Sequence, residues 1–216
     1  MPKFDYVIFD FDGTIADTRR GIFDSINYAL SYYGYEVPDE NVLNSFLGPP
    51  LHESFKNTTS CSDEMAQKLT AKYRELYADN AMYRLELFDG VEEMLKVMKD
   101  NSIHMAIASS KPEKFFSKLL DYLGITKYFD VVCGASLSDI HNTKQQIIAR
   151  AMQTLSADRE KTLMVGDRVF DIDGAKENKI KSAGVVFGFD YAEELENAGA
   201  DFIVKTAKDL LTEVLL

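Results

Sequence analysis

Cysteine is scarce in this 216-residue chain: Cys61 and Cys133 stand far apart, with no CxxC or Cys/His grouping around either. That excludes a disulfide-built scaffold and a thiolate zinc centre, and it leaves two free thiols, as in a reducing cytosol. Long apolar runs are missing as well. No stretch approaches the roughly 20 apolar residues that a membrane-spanning helix needs. The opening residues, Met1-Pro2-Lys3-Phe4-Asp5, lack a signal-peptide pattern, so the expected location is the cytoplasm. Positive charge is in deficit too, with 24 Lys and Arg against 35 Asp and Glu and a formal net charge of -11. Nucleic acid and anionic membrane are polyanions, so neither is expected as the main partner. A phosphate-bearing small molecule is still compatible, provided that a metal and a few cations stand locally in its site. Repeats and low-complexity tracts are absent.

What is present suits a soluble globular protein of one domain plus a smaller one, with 46% hydrophobic and 27% charged residues. Six short apolar runs punctuate the chain: Tyr6 to Phe9, Ile103 to Ala108, Phe129 to Cys133, Thr162 to Val165, Ala183 to Phe187 and Phe202 to Val204. Most are β-branched or aromatic with little polar alternation, as expected of strands buried on both faces. Between them lie amphipathic stripes: Val91, Met94, Leu95 and Met98; Phe116, Leu119, Leu120 and Leu123; Ile147, Ile148 and Ala151; and finally Leu210, Leu211 and Val214. Strand alternating with helix predicts an α/β fold with a doubly wound, parallel, Rossmann-like sheet. One stretch departs from this rhythm. From Asp17 to about Tyr83 no strand pattern occurs, and helices are expected over Ile22 to Tyr33, from Asp39, and from Ser62 to Asn80, with a break at Gly48-Pro49-Pro50. The expected organisation is therefore a core of residues 1–16 and 84–216 with an inserted, all-helical cap domain of residues 17–83.

Ligands of open parallel sheets bind at the carboxyl ends of the strands. The first strand ends in Asp10-Phe11-Asp12-Gly13-Thr14, the second in Ser109-Ser110-Lys111, and the fourth in Gly166-Asp167 with Asp171 a turn beyond. Lys144 opens the helix after the Cys133 strand. Each piece alone has a plain reading. Asp12 could cap a turn, Ser109 could cap the helix after Pro112, Lys144 could be solvated, and Gly166-Asp167 could be an ordinary strand-to-helix turn. Together they solve one problem. Asp10, Asp167 and Asp171 would repel one another and any phosphate unless gathered round a cation, and an all-oxygen donor set suits Mg²⁺. A lysine close by would keep Asp10 anionic and nucleophilic. An extended chain would point Asp12 to the same side as Asp10, ready for acid and base duty.

At these residues the sequence resembles the haloacid dehalogenase-like superfamily, in its group of phosphoglycolate-phosphatase-like members with a small α-helical cap. Asp10 to Thr14 is similar to the first motif, Ser109 to the second, Lys144 to the third, and Gly166 to Asp171 to the fourth. The resemblance implies a phosphatase that works through an aspartyl-phosphate, with Asp10 as nucleophile and Asp12 as acid, then base. It implies Mg²⁺ held by the side chains of Asp10 and Asp167 and the backbone carbonyl of Asp12, with Asp171 an outer-shell or direct ligand. It implies a phosphate site formed by Gly13, Thr14, Ser109, Ser110 and Lys144. Two departures stand out: Ser109-Ser110-Lys111 where Thr-Asn-Lys is commoner, and Gln145 where proline usually follows the lysine. Lys111 therefore competes with Lys144 for the phosphate.

The Leu47-Gly48-Pro49-Pro50-Leu51 segment resembles a substrate-facing cap loop, and also members described as 5'-nucleotidases, which makes a nucleoside monophosphate the alternative substrate. A small phosphorylated molecule is the expected partner of a monomer or homodimer. Asp12 disfavours a dehalogenase, and nothing raises Lys56, Lys68 or Lys72 to the covalent lysine of a phosphonatase. A mutase, whose cap would hold a bisphosphate, ranks equally low. Rivals from other classes are a signalling receiver domain, whose phosphorylated aspartate would end a middle strand, and a catalytically silent phosphate-binding protein.

Overall fold

The computed structural model describes residues 2–135, 143–189 and 191–216. The chain runs through β1 (Tyr6–Phe9), β2 (Ala16–Asp17), α1 (Arg19–Tyr32), α2 (Glu40–Asn44), α3 (Leu51–Thr59) and α4 (Asp63–Asp79). It continues with β3 (Glu86–Leu87), α5 (Val91–Asp100), β4 (His104–Pro112), α6 (Phe116–Leu123) and β5 (Val131–Ala135). It ends with α7 (Lys144–Leu155), β6 (Thr162–Gly166), α8 (Val169–Asn178), β7 (Lys181–Val185), α9 (Ala192–Asn197), β8 (Phe202–Val204) and α10 (Ala207–Leu215).

Among the described residues, six strands form one sheet in the order β5-β4-β1-β6-β7-β8. Every pair in it is parallel. The expected doubly wound fold is therefore present, and the chain reverses its winding about β1, between β4 and β6. Strand register fixes which side chains share a face. Ile8 stands level with Ala106 and Met164, and all three join Ile147, Ile148 and Ala151 of α7 and Ala175 of α8 in one buried cluster. The alternate residues Val7, Phe9, Met105, Ile107, Leu163 and Val165 point to the opposite face and are fully buried there. Both faces are covered, which is why these strands read as continuous apolar runs.

Several boundaries differ from expectation for local reasons. β4 continues past Ala108 to Pro112, with its register to β5 shifting between those residues. Ser109 to Lys111 thus lie within an irregular strand end and not in a loop. β5 begins at Val131, because Phe129 closes a 3-10 turn and the Asp130 N–H donates to Met105 O at 2.8 Å. β7 begins at Lys181, which pairs with Leu163.

The chain divides into two compact units, Met1–Asp17 with Glu86–Leu216, and Thr18–Leu85. Among the described residues the second unit contains helices and no strand. Its α1 buries Ile22, Ile26, Ala29 and Leu30, spaced for one helical face. α4 is capped by Ser62, whose hydroxyl accepts the Met65 N–H at 3.3 Å, and it buries Leu69, Tyr73 and Tyr77. The helix α3 was not expected beyond the Gly-Pro-Pro break. β2 and β3 were not expected either; they pair antiparallel, Ala16 with Leu87 and Asp17 with Glu86, where the chain leaves and re-enters the sheet unit.

Candidate active site

The Asp10 N–H still donates to Val165 O at 2.8 Å, so the ladder between β1 and β6 holds through that residue. By alternation its side chain shares the face of Ile8, the face covered by α7 and α8. From that face Lys144, the first residue of α7, brings its ammonium to 2.6 Å from Asp10 Oδ1 and 2.8 Å from Asp171 Oδ1. The α7 start is fixed locally, since the Thr143 N–H donates to Gln146 Oε1 at 3.1 Å. It is also tied to α8, where Asn178 Nδ2 donates to Gln145 O at 2.9 Å.

After Asp10 the chain does not stay extended. The Ile15 N–H donates to Phe11 O and the Gly13 N–H to Ala16 O, both at 3.0 Å, which makes a tight turn. Asp12 turns to Lys111, whose ammonium lies 3.1 Å from Asp12 Oδ2 and whose side chain is buried. Asp12 Oδ1 is shielded from solvent and has no hydrogen-bond partner among the described residues. Gly13 serves this turn in two ways. Its φ of +80° suits glycine, and a Cβ there would stand 2.2 Å from Asp167 Oδ2.

β6 delivers Gly166 and Asp167. A Cβ on Gly166 would fall 2.1 Å from Asp171 Cγ, so only glycine lets α8 pack its first turn on the strand end. Asp171 Oδ2 accepts the Arg168 N–H at 3.1 Å, closing that turn. The Thr14 hydroxyl donates to Asp167 Oδ1 at 3.4 Å. One ligand oxygen from each of Asp10, Asp167 and Asp171 lies within 4.8 Å of the others, and all three residues are buried.

Three buried carboxylates with one directly paired ammonium strain the electrostatics. Asp167 is held well above the usual carboxylate range, first by burial and then by Asp10 and Asp171. Burial likewise pushes Asp171 up to about 6, against the pull of Lys144. Burial alone would lower the Lys144 ammonium, yet Asp10 and Asp171 hold it above its ordinary range. A hard divalent cation answers this excess of negative oxygen, and the donor set fits Mg²⁺.

Ser109 and Ser110, expected at the phosphate, stand at the far end of β4. Ser109 is buried and its hydroxyl accepts the Lys111 N–H at 3.4 Å; it caps no helix. Ser110 is exposed. In the helical unit His52 and Lys56 both meet Asp63, at 3.3 and 2.6 Å. Glu194 of α9 is an unexpected member of the neighbourhood, as it binds Arg168 beside Asp167.

Residues 7–185 match the sequence model of the haloacid dehalogenase-like hydrolases. The chain belongs to that family. It is an enzyme of the family's phosphatase type, which removes the receiver and silent-binder rivals. A crystal structure of a predicted phosphatase from Clostridium acetobutylicum is 36% identical and superposes with a TM-score of 0.90, covering 98% of both chains. The tyrosine-protein kinase PtkA of Mycobacterium tuberculosis is 34% identical over 95% of this chain and 67% of its own length. A 5'-nucleotidase of Pseudomonas aeruginosa is 31% identical, covering 89% of this chain and 87% of that protein. Among the described residues, no helix is long and apolar enough to cross a membrane.

Proposed function

We propose that this enzyme hydrolyses a small phosphomonoester in two in-line displacements through an aspartyl-phosphate on Asp10. The observation that carries the reading is the buried Asp10–Asp167–Asp171 cluster with Lys144 against Asp10. Asp10, Asp167, Asp171 and the backbone carbonyl of Asp12 would hold Mg²⁺, which when bound supplies charge neutralisation for the phosphoryl oxygens. Lys144 orients the Asp10 carboxylate and, with Ser109 and Ser110, receives phosphoryl oxygens, whereas the Gly13 and Thr14 N–H groups, expected to do so, are taken up by Ala16 O and Phe11 O within the turn. A carboxylate oxygen of Asp10 bonds to phosphorus as the bond to the leaving oxygen breaks. Asp12 protonates that oxygen. It then takes a proton from the water that attacks the acyl phosphate, which releases inorganic phosphate and restores Asp10. The anchored Oδ2 and unengaged Oδ1 of Asp12 support this assignment, because a buried oxygen without a partner is costly unless a substrate group meets it. We assign the helical unit the role of a cap that carries specificity, on the ground that it is inserted directly after the Asp12 turn.

A phosphoglycolate-like metabolite is the first substrate class. A nucleoside monophosphate is the second, favoured by the 5'-nucleotidase relative. Purified protein should turn over a chromogenic phosphate ester in Mg²⁺, and a panel of phosphorylated metabolites should then separate the two classes. Undiminished turnover in excess chelator would remove the metal from the mechanism.

A further inference from the structure

Outside the acidic cluster, a second charged group reaches the Asp167 turn. Glu194 accepts three bonds from the two residues that follow Asp167. Arg168 Nε donates to Oε1 at 3.0 Å, Arg168 Nη2 to Oε2 at 3.4 Å, and the Val169 N–H to Oε1 at 2.8 Å. Val169 opens α8, so its N–H is one of the donors that a helix start leaves unpaired. Glu194 thus caps α8 from a distant point in the sequence. The Arg168 guanidinium also lies 4.4 Å from the ring centre of Tyr191. Tyr191 meets Phe189 edge-on at 6.4 Å, and Phe189 in turn reaches the Asp12 turn, since a Cβ on Gly13 would stand 2.7 Å from its ring. Phe189, Tyr191 and Glu194 therefore brace both turns that present the acidic side chains.

We propose that Glu194, acting through Arg168 and the Val169 N–H, is a positioning residue that sets the divalent-cation affinity of the Asp10–Asp167–Asp171 site. The proposal rests on the metal reading given above. A metal site depends on the angle at which each carboxylate is offered, and partners behind the ligands control that angle. Arg168 is extended, with φ -125° and ψ 158°, between Asp167 and the first turn of α8. Release of its guanidinium and of the Val169 N–H frees the backbone on the helix side of Asp167, while the ligand side chains themselves stay untouched.

The test is calorimetric titration of Mg²⁺ into the substrate-free protein, with wild type, Glu194→Ala, Glu194→Gln and Arg168→Ala side by side. Glu194→Ala should weaken Mg²⁺ binding by about 10–100-fold, and Glu194→Gln, which keeps an acceptor for Val169, by less. Arg168→Ala combined with Glu194→Ala should do little more harm than the worse single change, because the two act as one unit. Turnover at saturating Mg²⁺ should recover towards wild type. Should Glu194→Ala fail to fold, Glu194→Gln carries the test. Affinities within about twofold of wild type in folded variants overturn the proposal and leave a merely structural pair. A wild-type protein that takes up no Mg²⁺ overturns the metal reading itself, and this inference with it.

Discussion

The two compact units each contain a lysine and an aspartate at the same separation, 2.6 Å, Lys144 with Asp10 in the sheet unit and Lys56 with Asp63 in the helical one. The first pair is almost shut off from water, its side chains 7% and 11% exposed, and it shares its ammonium with Asp171. The second is open, at 42% and 69%, and shares its carboxylate with His52. Lys56 is raised by its hydrogen bond to Asp63, and Asp63 is lowered in return. In water such attraction is screened and adds little. In the sheet unit the same contact lies in a medium that magnifies charge. Distance alone does not separate a working charge from a solvated one; burial and the company of further carboxylates do.

The comparison can be broken most forcefully at Asp10. Asp10→Asn should keep the far-UV circular dichroism of the native protein and lose turnover by on the order of 10³-fold or more, because an amide is a poor nucleophile. Turnover that survives would take Asp10 out of that role. Asp12→Ala should slow the enzyme by about 10²–10⁴-fold, with the largest defect for esters of poor leaving groups. A uniform defect across leaving groups would count against acid duty. Next in size is a direct contest between the two pairs. Lys144→Met should lower the stability of the metal-free protein by about 3–5 kcal/mol, seen as an earlier urea midpoint, whereas Lys56→Met should leave that midpoint in place. Equal shifts would contradict the distinction drawn here.

The smallest effect is a pH dependence of metal stabilisation. Asp167 and Asp171 hold their protons in the metal-free fold at pH values where an unfolded chain has released them. The folded state therefore binds more protons, and the metal-free protein loses stability as pH rises from the ordinary carboxylate range through about 6, the Asp171 value. Mg²⁺ binds only the deprotonated carboxylates. The rise in melting temperature on adding Mg²⁺ should be small at about pH 5 and several degrees larger at about pH 8. An equal rise at both values would show that these carboxyls do not titrate as described.

Much of the sheet was legible because strands covered on both faces carry unbroken apolar runs, and Tyr6–Phe9 and Thr162–Gly166 do so. The acidic residues were legible because they sit directly beyond those runs. Other features leave no local trace. α3 buries only Ser54 and Phe55 among polar neighbours, so it offers no stripe to read. The β2–β3 pairing involves two residues from each side, too few for a period to appear. The turn after Asp10 depends on backbone bonds that a DxD spacing does not report. Glu194 looks like any other acid among Glu193, Leu195 and Glu196. Its partner Arg168 is a neighbour only after α8 and α9 have packed.

The short ribbon of β2 and β3 has a consequence for how such an enzyme can diversify. The outgoing and returning chain are stitched together by Ala16 with Leu87 and Asp17 with Glu86, at the doorway of the helical segment. The sheet's wiring closes at that doorway whatever lies beyond it. A lineage could exchange the whole intervening stretch for another of different length and still return to Glu86 in register, inheriting the chemistry while choosing a new molecule to work on.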